Sequence, residues 1–373
     1  MKINYYFAKI CKRLKLDKIY RRSIKSRGKS TINIADYNGV LNSKYNPETE
    51  EYASLIDRES WNENKEFDLQ IIVSVFNGED YIKACVDSVL NQKTNYKWQL
   101  IIINDGSTDK TLEILEKYKD ERLKVISQEN RGFSGGRNRG LEQMSSRYLM
   151  FVDADDLMED GAIEHLLSFA YENDLDIVEG NFYTFKKNKK RKKSFYSDKI
   201  VTEPISSLRG YPWGKVIKTD MFKNIQYPCG YWFEDSIFTF LLYPLTSKCG
   251  TVSHYVYSYR KNPQGITNKA KYRIKCLDTV YIMEEVLNSA TKLGISFSSE
   301  YYEAFLKHCC LSCERMYFMD KEVKIAAFCY LCDLHTKYFA CNATDNPVLQ
   351  KVALSLKNYD YKLFSEIALY CNY

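Results

Sequence analysis

The sequence is short of the residues that interrupt regular structure, with 7 prolines and 16 glycines in 373 residues. Nowhere does it approach the ~18 to 20 consecutive apolar residues of a membrane-spanning helix. Its longest apolar stretches, such as Leu69 to Phe76, have strand length. Residues 1–29 lack the uninterrupted apolar core and small-residue cleavage site of a secretory signal, so a cytoplasmic protein is expected. The 12 cysteines are too thinly spread for a disulfide scaffold and are expected as thiols. What remains is ordinary globular material, 45% hydrophobic and 27% charged, which excludes a wholly disordered chain. The length suits about two domains.

Charge is distributed unevenly. Residues 1–30 hold eleven Lys and Arg against a single acid, Asp17, while the whole chain is only +6. The basicity is therefore local to the N-terminus. Within that segment Ile3, Phe7, Ile10 and Leu14 recur at helical spacing, with Lys and Arg on the other faces. Two readings stand: a helix lying on an anionic membrane surface through residues 1–29, or a solvated helix packed on the main domain. Nucleic acid is not an expected partner, because no recognised binding module accompanies the patch. Gly28-Lys29-Ser30-Thr31 is not a P-loop, since the first motif glycine would fall at Ser23 and no strand precedes it.

From residue 67 the pattern alternates. Strands are expected at Leu69–Val75, Trp98–Ile103, Leu123–Ile126 and Tyr148–Val152. Helical faces lie between them at Ile82–Leu90, Leu112–Tyr118 and Arg137–Met144. A further helix near Ile163–Tyr171 and a strand near Asp176–Phe182 follow, and Lys186 to Lys193 reads as a solvated hairpin tip. Serial βα units predict an α/β fold with a mostly parallel sheet and helices on both faces. After about residue 270 only helical stripes remain, such as Cys276, Val280, Met283, Leu287 and Ala290. The expected organisation is a basic N-terminal segment and connector (1–66), an α/β domain (67–270) and an α-helical region (271–373). Cys310/Cys313 and Cys329/Cys332 have a zinc-compatible spacing, with His308 and His335 nearby, but they sit in helical patterns without turn residues. Packing is the preferred reading. His165 and His254, with no partner cluster, read as structural.

Ligands of such sheets bind beyond the carboxyl ends of the strands, so the residues that follow each strand carry the information. These are Phe76-Asn77-Gly78-Glu79, Asn104-Asp105-Gly106-Ser107-Thr108-Asp109, the loop Asn130 to Asn138, and Asp153-Ala154-Asp155-Asp156. Singly, most of them suit a turn or a helix cap. The last is harder to dismiss, because three carboxylates within four residues repel unless a cation sits among them. Oxygen-only ligands favour Mg2+ or Mn2+ held together with substrate phosphates.

In order and spacing, VSVFNGEDYIKACVDSVLNQ, IINDGSTDKT, NRGFSGGRNRG, YLMFVDADD, WGKVIKTDMF and WFEDSIFTF resemble the inverting glycosyltransferases of family 2, from about residue 69 to about 265. That resemblance implies a GT-A-type, Rossmann-like nucleotide-sugar fold. It implies that Asp105 accepts a hydrogen bond from the base and that Phe76, usually Tyr, lies against it. Asn130 and Arg137 fall near the nucleotide, Asp153 near ribose and metal, and Asp155 on the metal at the diphosphate. Asp156 is expected to cap the next helix. Glu234-Asp235 matches the family's acidic pair, with Asp235 as general base. Arg260, in Tyr257-Ser258-Tyr259-Arg260, matches a segment that closes over the diphosphate, although the usual Ser-Ile-Thr continuation reads Gly265-Ile266-Thr267 here. Trp213 and Trp232 are candidates for the floor of an acceptor site, with packing as the alternative.

The expectation is a metal-dependent, inverting transferase moving one sugar from a nucleotide-sugar donor, UDP-linked, to a glycan acceptor. A lipid-linked acceptor in bacterial surface polysaccharide assembly, at the inner face of the membrane, fits the basic N-terminus. Processive synthases of this family carry Gln-x-x-Arg-Trp, and no Arg-Trp occurs in this chain. Two alternatives compete. A catalytically silent nucleotide-sugar-binding or scaffold protein has no need of Asp235. A nucleotidyltransferase usually carries a basic, Gly-rich loop where this chain has Phe76 to Glu79.

Overall fold

The structure is a computed structural model and describes residues 36–45, 47, 53–58, 61, 64–187, 189–262, 265 and 272–371. The basic helical stripe of residues 1–29 and the Ile266-Thr267 pair lie outside the described residues. Two compact units are present, one formed by residues 49–230 and 234–265, the other by residues before 49, 231–233 and those from 266 on.

The first unit is built on a sheet. Its strands β1 (Phe67–Val75), β2 (Trp98–Asp105), β3 (Leu123–Gln128) and β4 (Ser146–Asp153) run parallel in the order β3-β2-β1-β4. Leu69, Ile71, Ile72 and Val73 are all buried, which explains why β1 reads as an apolar run and not as an alternation. Successive residues serve opposite faces. Leu69, Ile71 and Val73 share a core with Ile82, Cys85, Val86 and Val89 of the helix Ile82–Leu90. Ile72 and Ser74 point the other way and meet the helix Gly132–Leu141. The expected coverage of both faces is therefore present.

Beyond β4 the sheet becomes mixed. The chain adds β5 (Leu157–Met158), the helix Ala162–Asn173, β6 (Ile177–Lys186), β7 (Lys189–Lys193), β8 (Lys199–Val201), β9 (Lys215–Lys218) and β10 (Cys249–Arg260). Strand β9 runs antiparallel between β4 and β6, β10 is parallel to β6, and β5 closes the row antiparallel to β10. The lysine-rich stretch forms the β6–β7 hairpin, and every residue of β7 is exposed. A row of lysines on a sheet edge discourages further strand pairing.

The second unit is helical. Asp278–Lys292, Ser299–Arg315, Lys321–Phe339, Pro347–Lys357 and Tyr361–Ala368 are its helices after residue 272, several with side-chain caps at Ser298, Asn346 and Asp360. Tyr37–Lys44 also belongs here: the Tyr37 hydroxyl donates to Asp333 on Lys321–Phe339. Cys309, Cys310, Cys329 and Cys332 are buried on two of these helices. His308 and His335 are buried too. Burial lowers their pKa to about 3 and about 4, so both are neutral packing groups, bonded to the Thr279 carbonyl and the Tyr302 hydroxyl. Among the described residues no helix is long and apolar enough to cross a membrane.

Candidate active site

Register decides what converges at the strand ends. Pairing sets Ser74 of β1 beside Ile103 on β2 and beside Asp153 on β4, so the polar residues that follow all three strands emerge on one edge. The first two loops are laced together. Asn77 donates its N–H to the Ser107 hydroxyl and accepts from the Thr108 N–H, while the Glu79 N–H donates to Asp109 and the Lys110 N–H to Glu79. Asp109 thus ties two loops, which is more than the turn or cap its surroundings suggest. Phe76, 53% exposed, stands at the end of β1 directly before this lacing.

Asp105 is buried at the end of β2. Its Oδ1 accepts from Gln128 Nε2 at 2.6 Å and from the Arg131 N–H at 2.9 Å. Asn130 donates through Nδ2 to the Asp105 carbonyl, so it fixes the loop to the strand end. The helix that follows begins at Gly132, five residues earlier than its apolar spacing suggests. Phe-Ser-Gly-Gly looks like loop composition, yet a Cβ on Gly136 would lie 1.9 Å from Ser74 Oγ. Glycine is what lets this helix lie directly against β1 and β2.

Arg137 lies on a helix and not on a loop. It is buried inside that helix, and its guanidinium reaches Asp153 Oδ1 at 2.9 Å and Glu234 Oε1 at 2.5 Å. It therefore joins the Asp-x-Asp stretch to the acidic pair, 97 residues away in sequence. Burial raises the Glu234 carboxyl to about 7; Arg137 pulls it down and the adjacent Asp235 pushes it up. Asp235 itself is half-buried and opens a short helical stretch, its carbonyl accepting from the Phe238 N–H.

Around β4 the structure gathers groups from β10. The Asp153 N–H donates to the Tyr257 hydroxyl, which in turn donates to Asp156 Oδ2. Asp156 is buried and also accepts from the Arg260 N–H, so it bridges strands and does not cap a helix; the next helix follows Gly161. Arg260 turns its Nε onto the Asp155 carbonyl, and Asn262 Nδ2 donates to Asp155 Oδ2 at 3.0 Å. Tyr257 and Asn262 were not among the sequence candidates. The signal for them was the Tyr257–Arg260 stretch itself, once Arg260 is placed at this edge.

The two tryptophans lie apart in character. Trp213 is 6% exposed, with Tyr211 stacked on it at 4.7 Å and Tyr257 at 4.6 Å. Trp232 is buried in the helical unit, its backbone N–H donating to Asp278 Oδ2 at 2.7 Å. His165 and His254 stack on each other at 3.8 Å, a partnership that no sequence cluster announced. They line a cavity of about 540 Å³ that holds none of the candidate site residues.

Comparison with known proteins points in the same direction as the strand-end motifs. The sequence model of "Glycosyl transferase family 2" matches residues 70–230. Over those residues the chain is similar to family 2 glycosyltransferases. Among curated relatives, glycosyltransferase GlyA of Streptococcus pneumoniae is 31% identical over 52% of this chain and 30% of its own length. Glycosyltransferase GlyG of the same organism is 25% identical over 62% of this chain and 83% of its own length. The chain thus spans under a third of the first of these relatives. Among solved structures, S. aureus TarS 1–349 in complex with UDP superposes with a TM-score of 0.64 at 20% identity, over 80% of this chain and 89% of that one. This likeness shows the fold, which is of the GT-A type expected.

The fold family implies a divalent metal, and the residues present suit one. Asp153 and Asp155 offer oxygen ligands only. Burial raises the Asp155 carboxyl, the Asn262 hydrogen bond opposes the rise, and the charge of Asp153 adds to it. Crowded carboxylates of this kind are relieved by a cation. Asp156 is committed to Tyr257 and Arg260 and is not part of that set.

Proposed function

We propose that this chain transfers a single sugar, with inversion, from a UDP-linked donor to a hydroxyl of a glycan acceptor. The observation that carries the reading is the Arg137 bridge. One buried guanidinium holds Asp153, at the end of β4, and Glu234, next to Asp235, at fixed separation. A donor site and a proton acceptor are thereby built into one rigid arrangement. Asp105, Asn130 and Phe76 receive the nucleoside, and Asp153, Asp155 and Arg260 surround the diphosphate. Asp155 and Asp153 would hold Mn2+ or Mg2+, which would supply charge neutralisation at the departing diphosphate. Asp235 takes the acceptor hydroxyl's proton as its oxygen attacks the anomeric carbon; the bond from that carbon to the phosphate oxygen breaks, and its electron pair leaves with UDP. Residues 1–29 tether the chain to an anionic membrane surface, where a lipid-linked glycan of a bacterial surface polysaccharide is the acceptor.

A panel of nucleotide sugars incubated with the protein tests this. UDP release from one UDP-sugar, present with Mn2+ and lost in EDTA, is the expected result. Release from none of them would overturn the reading in favour of a silent binding protein.

A further inference from the structure

We infer that Tyr211 is the platform on which the acceptor's sugar ring lies, making this a site for a pyranose presented by its C–H face. The inference rests on the transferase reading above and adds the class of acceptor.

Three rings stack in sequence: Tyr257, buried; Trp213, 6% exposed; and Tyr211, 41% exposed. The interplanar angles, 7° and 10°, keep the rings parallel. Phe182 braces both Trp213 and Tyr211 edge-on. The stack therefore begins at the residue that bonds Asp153 and Asp156, and ends in a half-exposed aromatic ring. Trp213 presents too little surface to receive a ligand; Tyr211 is the member that can.

The loop carrying Tyr211 is rigidly built. Lys215 is fully buried, and its ammonium donates to Glu179 Oε2 at 2.8 Å, to the Arg209 carbonyl and to the Tyr243 hydroxyl at 2.6 Å. The Arg209 N–H donates to the same Glu179 carboxylate. This pins the backbone two residues before Tyr211, and the ion pair sits where a broken partner is costly. The Arg209 side chain lies at 4.0 Å over Phe195, itself 47% exposed. An exposed aromatic surface beside a guanidinium suits a sugar: flat apolar C–H groups against rings, hydroxyls to the N–H donors. The platform is also within electrostatic reach of the base. Burial raises the Tyr211 hydroxyl, Arg209 opposes the rise and Asp235 adds to it.

Saturation-transfer NMR on the full chain tests the inference, using methyl β-D-glucopyranoside, methyl β-D-galactopyranoside and methyl N-acetyl-β-D-glucosaminide, with and without UDP and Mn2+. For at least one glycoside, saturation should concentrate on the ring protons of one face. Tyr211→Ala and Tyr211→Leu should weaken its apparent affinity by about tenfold or more, since a stacked ring face is lost. Tyr211→Phe should restore it. The Leu variant keeps apolar bulk for packing, so a folding defect in the Ala variant does not decide the matter. UDP affinity by calorimetry should stay within about twofold throughout, because a twofold change is under 0.5 kcal/mol. Unchanged glycoside binding in Tyr211→Leu, or no saturation of any glycoside by wild-type protein, would overturn the platform. Absence of UDP binding by the wild type would instead count against the donor reading, and the glycoside arm without UDP would still judge Tyr211.

Discussion

Arg137 shows what one side chain does when its charge is buried between two carboxylates. Removing it leaves Glu234 unpaired in a site that already raises that carboxyl to about 7. Loss of the cation that pulls Glu234 down raises it further, so at neutral pH the variant takes up a proton. Arg137→Met should cost about 3 kcal/mol of stability, the range for breaking a buried pair, measurable by urea denaturation. Asp235 is next to this strut, and the proposed mechanism gives it a different task, that of the base. Asp235→Asn keeps its shape and removes the proton acceptor, so transfer should fall by about 10² or more while UDP affinity by calorimetry changes little. A variant turning over near normally would move the base elsewhere, with Glu234 tested next. The backbone here is itself constrained: Phe233, directly before the acidic pair, has φ of +68°. A bulky residue holds that conformation only when its surroundings enforce it.

At the scale of elements, the helix Gly132–Leu141 joins sheet to site. It carries Arg137, and its glycines let it lie directly against β1 and β2. A methyl at position 136 would collide with Ser74 Oγ and Cβ, at 1.9 and 2.9 Å. Gly136→Ala should therefore destabilise the fold by about 1–3 kcal/mol, the range for overpacking. Equal melting temperatures for variant and wild type would contradict this account of the close approach. The same helix marks the limit of what was legible in the sequence. Strand-end motifs were readable because βα alternation is local and β1, β2 and β4 have unmistakable apolar runs. The helix start was not, since Gly-Phe-Ser-Gly-Gly has loop composition and only the face of β1 makes it helical. Nor was the insertion of β9 between β4 and β6, nor the links from Tyr257 and Asn262 to the Asp-x-Asp stretch. These pair residues some 40 to 110 positions apart, beyond the reach of any periodicity.

For the whole molecule, the basic segment and the motifs of the proposed site are far apart in sequence. Residues 1–30 carry eleven basic residues against one acid, and the nucleotide motifs begin near residue 69. Deleting residues 1–29 should release the protein from anionic vesicles in a sedimentation assay and leave UDP affinity intact. Binding by the full chain should weaken as salt rises, because screening acts over about 8 Å at physiological ionic strength. Equal sedimentation of both forms would assign the segment to packing on the chain itself. The central claim, direct displacement assisted by Asp235 in a site where Asp153 and Asp155 would hold a metal ion, is tested most directly by the anomeric configuration of the product. With the UDP-sugar that the panel selects and a methyl glycoside acceptor, proton NMR should show the configuration opposite to the donor's, with product absent in EDTA and strongly reduced in Asp235→Asn. A product of retained configuration, or full turnover in EDTA, would contradict the account.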